Sequence, residues 1–217
     1  MKKLTLFFIY CCALLILTPA YATKAILLLG DSVSASYGMQ TEQGWVHLLN
    51  RQLEQEKAPY RIHNESVSGE TTGGGLTRLP ALLDTQDVDH LIIELGGNDG
   101  LRGYAPKSIK NNLLQMIDLA QQKNIPVTVI KIRIPPNYGP RYSKMFEQVY
   151  DQVANEKNVP LLPFFVAQVA TTPELMQEDD IHPNAKAQPL IAEYVKQQLT
   201  TLVFNSPTSV TTNESAQ

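Results

Sequence analysis

Residues 24–32 read KAILLLGDS, an apolar run that ends in a glycine, an acid and a serine. A short continuous apolar run bounded by a turn signal marks a strand buried on both faces. Four more segments share this character: YRIHNESV (60–67), HLIIELGG (90–97), VTVIKIRI (127–134) and VPLLPFF (159–165). Apolar stripes at helical spacing lie between them. Ile109, Leu113, Met116, Ile117 and Ala120 form one within residues 107–124, similar stripes cover 143–157 and 184–202, and a weaker one covers 43–56. Strands alternating with helices in this way predict an α/β fold: a three-layer α/β/α sandwich around a central, parallel, five-stranded sheet.

In such sheets ligands bind beyond the carboxyl ends of the strands. Strand one ends at Gly30-Asp31-Ser32, strand two at Ser66-Val67-Ser68-Gly69, and strand three at Gly96-Gly97-Asn98-Asp99, so all three clusters are expected on one edge. A serine at a strand end is ordinarily a turn former. As a nucleophile, Ser32 needs a base, an acid to orient that base, and donors for an oxyanion. Asp179-Asp180-Ile181-His182-Pro183 offers the first two. An acid three residues before a histidine on one tight turn can reach its Nδ1, which frees Nε2 to take a hydroxyl proton. Pro183 is expected in the first turn of the closing helix.

The Asn98 carboxamide can donate into the cleft, and Gly69 lets its backbone N–H approach a substrate closely. Each signal has a structural reading taken singly: a surface Asp-His pair, an Asn that caps its own turn, a mobile glycine loop. Jointly they fall in the order and at the strand ends that one active site needs. No P-loop, G-x-G-x-x-G or G-x-S-x-G is present. His47 lies in a helical stretch, His63 inside strand two and His90 before strand three. None has an acid at the right offset near a carboxyl end, so all three read as structural or surface residues.

The ends of the chain carry a different message. MKK is a positive n-region, LTLFFIYCCALLILT an apolar h-region, and Ala20-Tyr21-Ala22 a small-x-small cleavage site. An export signal over residues 1–22, cleaved after Ala22, is therefore expected, with a periplasmic or secreted product and no stable membrane anchor. The cut removes both cysteines, Cys11 and Cys12, which leaves no disulfide, thiol nucleophile or Cys-ligated zinc. It also removes Lys2 and Lys3, so the net charge goes from −3 to −5. That acidity, without a basic cluster in the sequence, argues against a nucleic-acid partner. The remaining chain is one domain by size, over residues 23–203. Residues 204–217, FNSPTSVTTNESAQ, read as a polar, disordered tail.

Gly30-Asp31-Ser32, Gly69, Gly96-x-Asn98-Asp99 and Asp179-x-x-His182 resemble the four blocks of the SGNH, or GDSL, hydrolases. ELGGNDGLRG (94–103), RLPALL (78–83), IRIPPNYGPRY (132–142) and IHPNAKAQP (181–189) are similar to its bacterial periplasmic members with acyl-CoA thioesterase, lysophospholipase and arylesterase activity. The resemblance implies a flavodoxin-like sheet. It also implies acyl transfer through Ser32, with His182 as base, Asp179 as orienting acid, and an oxyanion hole from Ser32, Gly69 and Asn98. It implies no metal and no cofactor, and a small-molecule acyl ester or thioester as substrate, including lysophospholipids; a monomer is expected. Leu101, Arg102 and Tyr104, with Ile134 and Pro135, either wall an apolar groove for the acyl chain or are packing residues. A carbohydrate or cell-wall O-acetylesterase on the same fold is the alternative. Two positions depart from the pattern: Val33 replaces the usual Leu, and Asp180 stands where this group often has Gly.

Overall fold

The computed structural model describes residues 23–201. The expected export signal and the polar tail lie outside the described residues. Strands β1 (Lys24–Gly30), β2 (Tyr60–Asn64), β3 (His90–Glu94), β4 (Val127–Ile130) and β5 (Leu161–Leu162) form one sheet in the order β2-β1-β3-β4-β5, every pair parallel. The central strands are apolar through their middles because both faces are covered: Leu27 to Leu29 and Leu91 to Ile93 are almost wholly buried.

Among the described residues six α-helices accompany the sheet: α1 (Trp45–Gln55), α2 (Thr72–Thr85), the short α3 (Gly97–Leu101), α4 (Pro106–Gln122), α5 (Pro140–Lys157) and α6 (Gln188–Leu199). Helices α1 and α6 pack together, while α2, α4 and α5 pack in a row. The expected three-layer architecture is what forms. Helix α4 buries Ile109, Leu113, Met116, Ile117 and Ala120, the stripe read from the sequence. From β1 the chain steps outward to β2, then crosses back to β3 on the other side. The gap between β1 and β3 is thus a topological switch point, where a doubly wound sheet opens a crevice.

Three local features differ from the sequence reading. Helix α2 runs through Gly73, Gly74, Gly75 and Pro80, residues that disfavour helix. Two things offset them. Thr71 caps the helix by accepting the Gly74 N–H at 3.1 Å. The bare Gly75 lets the helix close onto β3, since a Cβ there would stand 2.3 Å from a Leu95 methyl. Strand β5 is only two residues long, because Pro160 and Pro163 on either side have no N–H to offer the ladder. The closing helix starts at Gln188, not 184, and Pro183 is not in it. Pro183 instead pairs antiparallel with Met176, with Gln177 N–H donating to the His182 carbonyl at 2.8 Å.

Candidate active site

Ser32 begins a run of turns directly after β1, and His182 lies on the loop before α6. Folding brings these residues, 150 positions apart, into contact: His182 Nε2 is 2.8 Å from Ser32 Oγ. On the other side of the ring, His182 Nδ1 is 2.6 Å from Asp179 Oδ2. The same carboxylate fixes the turn that carries it, because Asp179 Oδ1 accepts the backbone N–H groups of Ile181 at 3.0 Å and His182 at 2.9 Å. Burial works to raise the Asp179 pKa, but these backbone bonds and the His182 ring outweigh it and hold the carboxyl below its ordinary value. Tyr37 lies against the imidazole, with ring centroids 4.5 Å apart and tilted by 39°.

Asn98 projects from the first turn of α3. Gly96 makes that position possible: its φ is +118°, and a Cβ would meet the Tyr150 hydroxyl at 2.1 Å. The Asn98 carboxamide makes only a long contact, Nδ2 to Asp31 Oδ2 at 3.4 Å. Gly69, at φ +80°, is held from outside by Arg102, whose Nη2 donates to the Gly69 carbonyl at 3.2 Å. Neither the Ser32 N–H nor the Gly69 N–H has an acceptor among the described residues. Both N–H groups are therefore free to donate, and Asn98 lines the same cleft as Ser32, whereas Gly69 is not part of that lining.

Beneath Ser32 lies a pair of carboxyls to which the sequence reading gave no role. Glu94, the last residue of β3, is buried and accepts from the Ser34 hydroxyl at 2.8 Å and the Asp31 N–H at 3.3 Å. Asp31 is buried too and accepts the Val33 N–H at 3.1 Å. Burial pushes Asp31 up to about 6, against the lowering effects of the Val33 bond and the His182 charge. Burial, then the Asp31 charge, push Glu94 well above the carboxylate range. Only the bonding partners of these acids, not their identity, are hidden in the sequence.

A cleft of about 550 Å³ opens beside these groups. Leu101, Ile134 and Pro135 line it, as does Asn98, and so do Phe164, Val166 and Met176, which the sequence reading did not single out. Arg102 and Tyr104 lie outside the lining. Arg102 braces the Gly69 loop, and the Tyr104 carbonyl accepts from the Tyr142 hydroxyl at 2.7 Å. His47 sits on α1 and His63 on β2, neither in the cleft. His90 is a structural residue: its Nε2 contacts Thr128 Oγ1 at 2.8 Å, and burial, aided by Lys24, lowers its pKa to about 4. Among the described residues no group of three His, Cys, Asp or Glu side chains is arranged to hold a metal ion.

This arrangement can carry out nucleophilic attack on a carbonyl. Residues 28–189 match the family described as the GDSL-like Lipase/Acylhydrolase family, a span that holds Ser32, Gly69, Asn98, Asp179 and His182. An arylesterase from Vibrio mimicus is 48% identical over 178 residues, covering 82% of this chain and 89% of its own. The thioesterase 1/protease 1/lysophospholipase L1 of Escherichia coli (strain K12) is 43% identical over 184 residues, covering 85% of this chain and 87% of its own. The psychrotrophic esterase EstA from Pseudoalteromonas sp., solved in a form inhibited by monoethylphosphonate, superposes with a TM-score of 0.82 at 44% identity. It covers 84% of this chain and 100% of its own.

Proposed function

Because this chain belongs to the GDSL-like lipase/acylhydrolase family, we propose that its ester- and thioester-hydrolysing activity runs through an acyl-enzyme on Ser32. The observation that supports this reading best is the continuous contact Asp179–His182–Ser32, 2.6 Å and then 2.8 Å. With the Nδ1 proton directed at Asp179, the Nε2 lone pair accepts the Ser32 hydroxyl proton as Oγ attacks the acyl carbonyl. The tetrahedral oxyanion receives the Ser32 and Gly69 N–H groups and the Asn98 Nδ2. Collapse expels the alcohol or thiol, which takes the proton from His182. Water, deprotonated by the same nitrogen, then attacks the acyl-serine and releases the acid.

The substrate is a small acyl ester or thioester. The acyl chain is assigned to the apolar cleft walls, which Leu101, Ile134, Pro135, Phe164, Val166 and Met176 help to line. Each methylene buried there contributes about 0.8 kcal/mol, which favours long acyl groups and admits lysophospholipids. The MKK start, apolar run and Ala-Tyr-Ala site support export to the periplasm with cleavage after Ala22. Among the described residues no helix is long and apolar enough to cross a membrane.

The test is kcat/KM on a homologous series of acyl esters from acetyl to palmitoyl, with Ser32→Ala as the blank. A rise with chain length supports the acyl cleft. A maximum at acetyl that collapses with length overturns it in favour of an O-acetylesterase. Labelling by a phosphonate ester in the wild type, absent in Ser32→Ala, tests the nucleophile itself.

A further inference from the structure

We propose that the rim built from the end of α3 with the loop and first turn of α4 that follow it, and from residues 138–146 at the start of α5, docks on an anionic lipid bilayer. Both segments leave carboxyl ends of strands, β3 and β4, and both contribute to the cleft, through Leu101 and Ser143. They are joined to each other: the Tyr138 hydroxyl donates to the Leu101 carbonyl at 3.0 Å, and the Tyr142 hydroxyl to the Tyr104 carbonyl at 2.7 Å. The rim is therefore one surface beside the cleft mouth.

Its charge runs against that of the chain. The protein carries a net charge of −3, yet residues 100–117 and 132–146 contain no Asp or Glu, and the next acid, Glu147, is paired with Arg133 at 3.6 Å. Lys107, Arg141 and Lys144 are exposed and have no carboxylate partner among the described residues. Arg141, Lys144 and Met145 stand at i, i+3 and i+4 of α5, so they share a face.

The rim is also apolar where water reaches it. Tyr104 and Met145, 45% and 46% exposed, are two of the few large hydrophobic side chains left open to solvent among the described residues. Basic side chains around exposed aromatic and thioether groups fit the interface of an anionic leaflet, which takes charge at the phosphates and apolar tips below them. A soluble polyanion would use the cations and leave Tyr104 and Met145 in water. The cleft mouth beside the rim would then face the leaflet from which acyl chains come.

The proposal goes beyond the hydrolytic reading and does not depend on Ser32. It is tested with the processed protein as Ser32→Ala, so that no lipid is consumed, by co-sedimentation with vesicles. One set is phosphatidylcholine alone, and the other is phosphatidylcholine with an equal amount of phosphatidylglycerol. Binding is expected to the anionic vesicles only, and raising the salt to about 0.5 M should abolish it, since the charges are exposed. The K107E/R141E/K144E variant should bind the same vesicles more than ~10-fold more weakly, since each basic residue adds several-fold to such partitioning. In a Ser32 background it should hydrolyse a short soluble ester at the wild-type rate. Tyr104→Ser with Met145→Ser should weaken binding without changing its salt dependence. Equal binding to both vesicle types overturns the proposal, as does salt-insensitive binding. Binding to soluble heparin with none to anionic vesicles also overturns it, because it would assign the cations to a polyanion.

Discussion

Thr72 donates twice to one carboxylate, its N–H to Asp99 Oδ2 at 2.8 Å and its hydroxyl to Asp99 Oδ1 at 2.6 Å. Both residues are buried, and Asn112 Nδ2 donates to the Thr72 hydroxyl at 2.9 Å. Asp99 follows Asn98, and Thr72 opens α2 three residues after Gly69. The pair thus ties together two loops that carry proposed oxyanion donors. Asp99→Ala leaves two buried donors unpaired, at ~1–3 kcal/mol each. Misplacing the donors should lower kcat by about 10–100-fold, with KM for a short ester changing much less. Thr72→Ser keeps both bonds and should behave as wild type, while Thr72→Val loses the hydroxyl bond and should not. Steady-state kinetics of the three variants check this. Equal behaviour of Thr72→Ser and Thr72→Val would remove the hydroxyl from the argument.

Asn98 makes only one long side-chain contact, 3.4 Å to Asp31, so its carboxamide is not committed to holding the fold. In the proposed mechanism it is the one side-chain donor to the oxyanion. Asn98→Ala should therefore cost about 10²–10³ in kcat and less than ~1 kcal/mol in stability. Parallel measurement of kcat and thermal unfolding separates the two effects. A kcat within twofold of wild type would take Asn98 out of the oxyanion hole.

Asp179 and Asp180 are neighbours with opposite geometry. Asp179 reaches His182 at 2.6 Å, while Asp180 sits in the left-handed region at φ +57°. Asp179→Asn should preserve the turn but impair the histidine tautomer, with a loss of about 10⁴ in kcat by comparison with the serine-protease triad. Asp180→Gly removes a Cβ from a backbone conformation that disfavours it, so stability should rise by up to ~1 kcal/mol, or roughly 2–4 °C in Tm. Calorimetry and ester hydrolysis on the two variants decide between them. Loss of activity in Asp180→Gly with retention in Asp179→Asn would exchange their roles.

What the sequence made legible follows from how local each signal is. The apolar run before Gly30 and the stripe on α4 read correctly because burial writes itself directly as periodicity. The Asp179–His182 contact was readable because three residues on one turn fix the distance. Helix α2 was hidden, since Gly73, Gly74, Gly75 and Pro80 speak against helix locally, and only the close approach of Gly75 to Leu95 explains them. Phe164, Val166 and Met176 were not read as cleft walls either. Their position depends on where the short β5 stops and on the Met176–Pro183 pairing, both set by tertiary contacts. The same holds for Arg102, whose role as a brace on Gly69 spans 33 residues.

The Asp31–Glu94 pair gives stability a pH dependence of definite sign. Both acids hold their protons more tightly in the folded chain than in the unfolded one. As pH rises past 4.5, an unfolded Glu94 ionises while the folded one keeps its proton, so unfolding becomes progressively more favourable. Asp31 adds to this between its ordinary 3.8 and about 6, a span worth ~3 kcal/mol. Stability from this pair is thus fully present below pH ~4 and falls as pH rises through 6 and above. Glu94→Gln keeps an acceptor for the Ser34 hydroxyl and the Asp31 N–H but has no proton to lose. It should match the wild type near pH 4.5 and exceed it in alkali by ~1 kcal/mol or more. Tm measured against pH for both proteins checks this. Parallel curves would mean that Glu94 is ionised in the folded protein, with its charge balanced by groups other than Ser34.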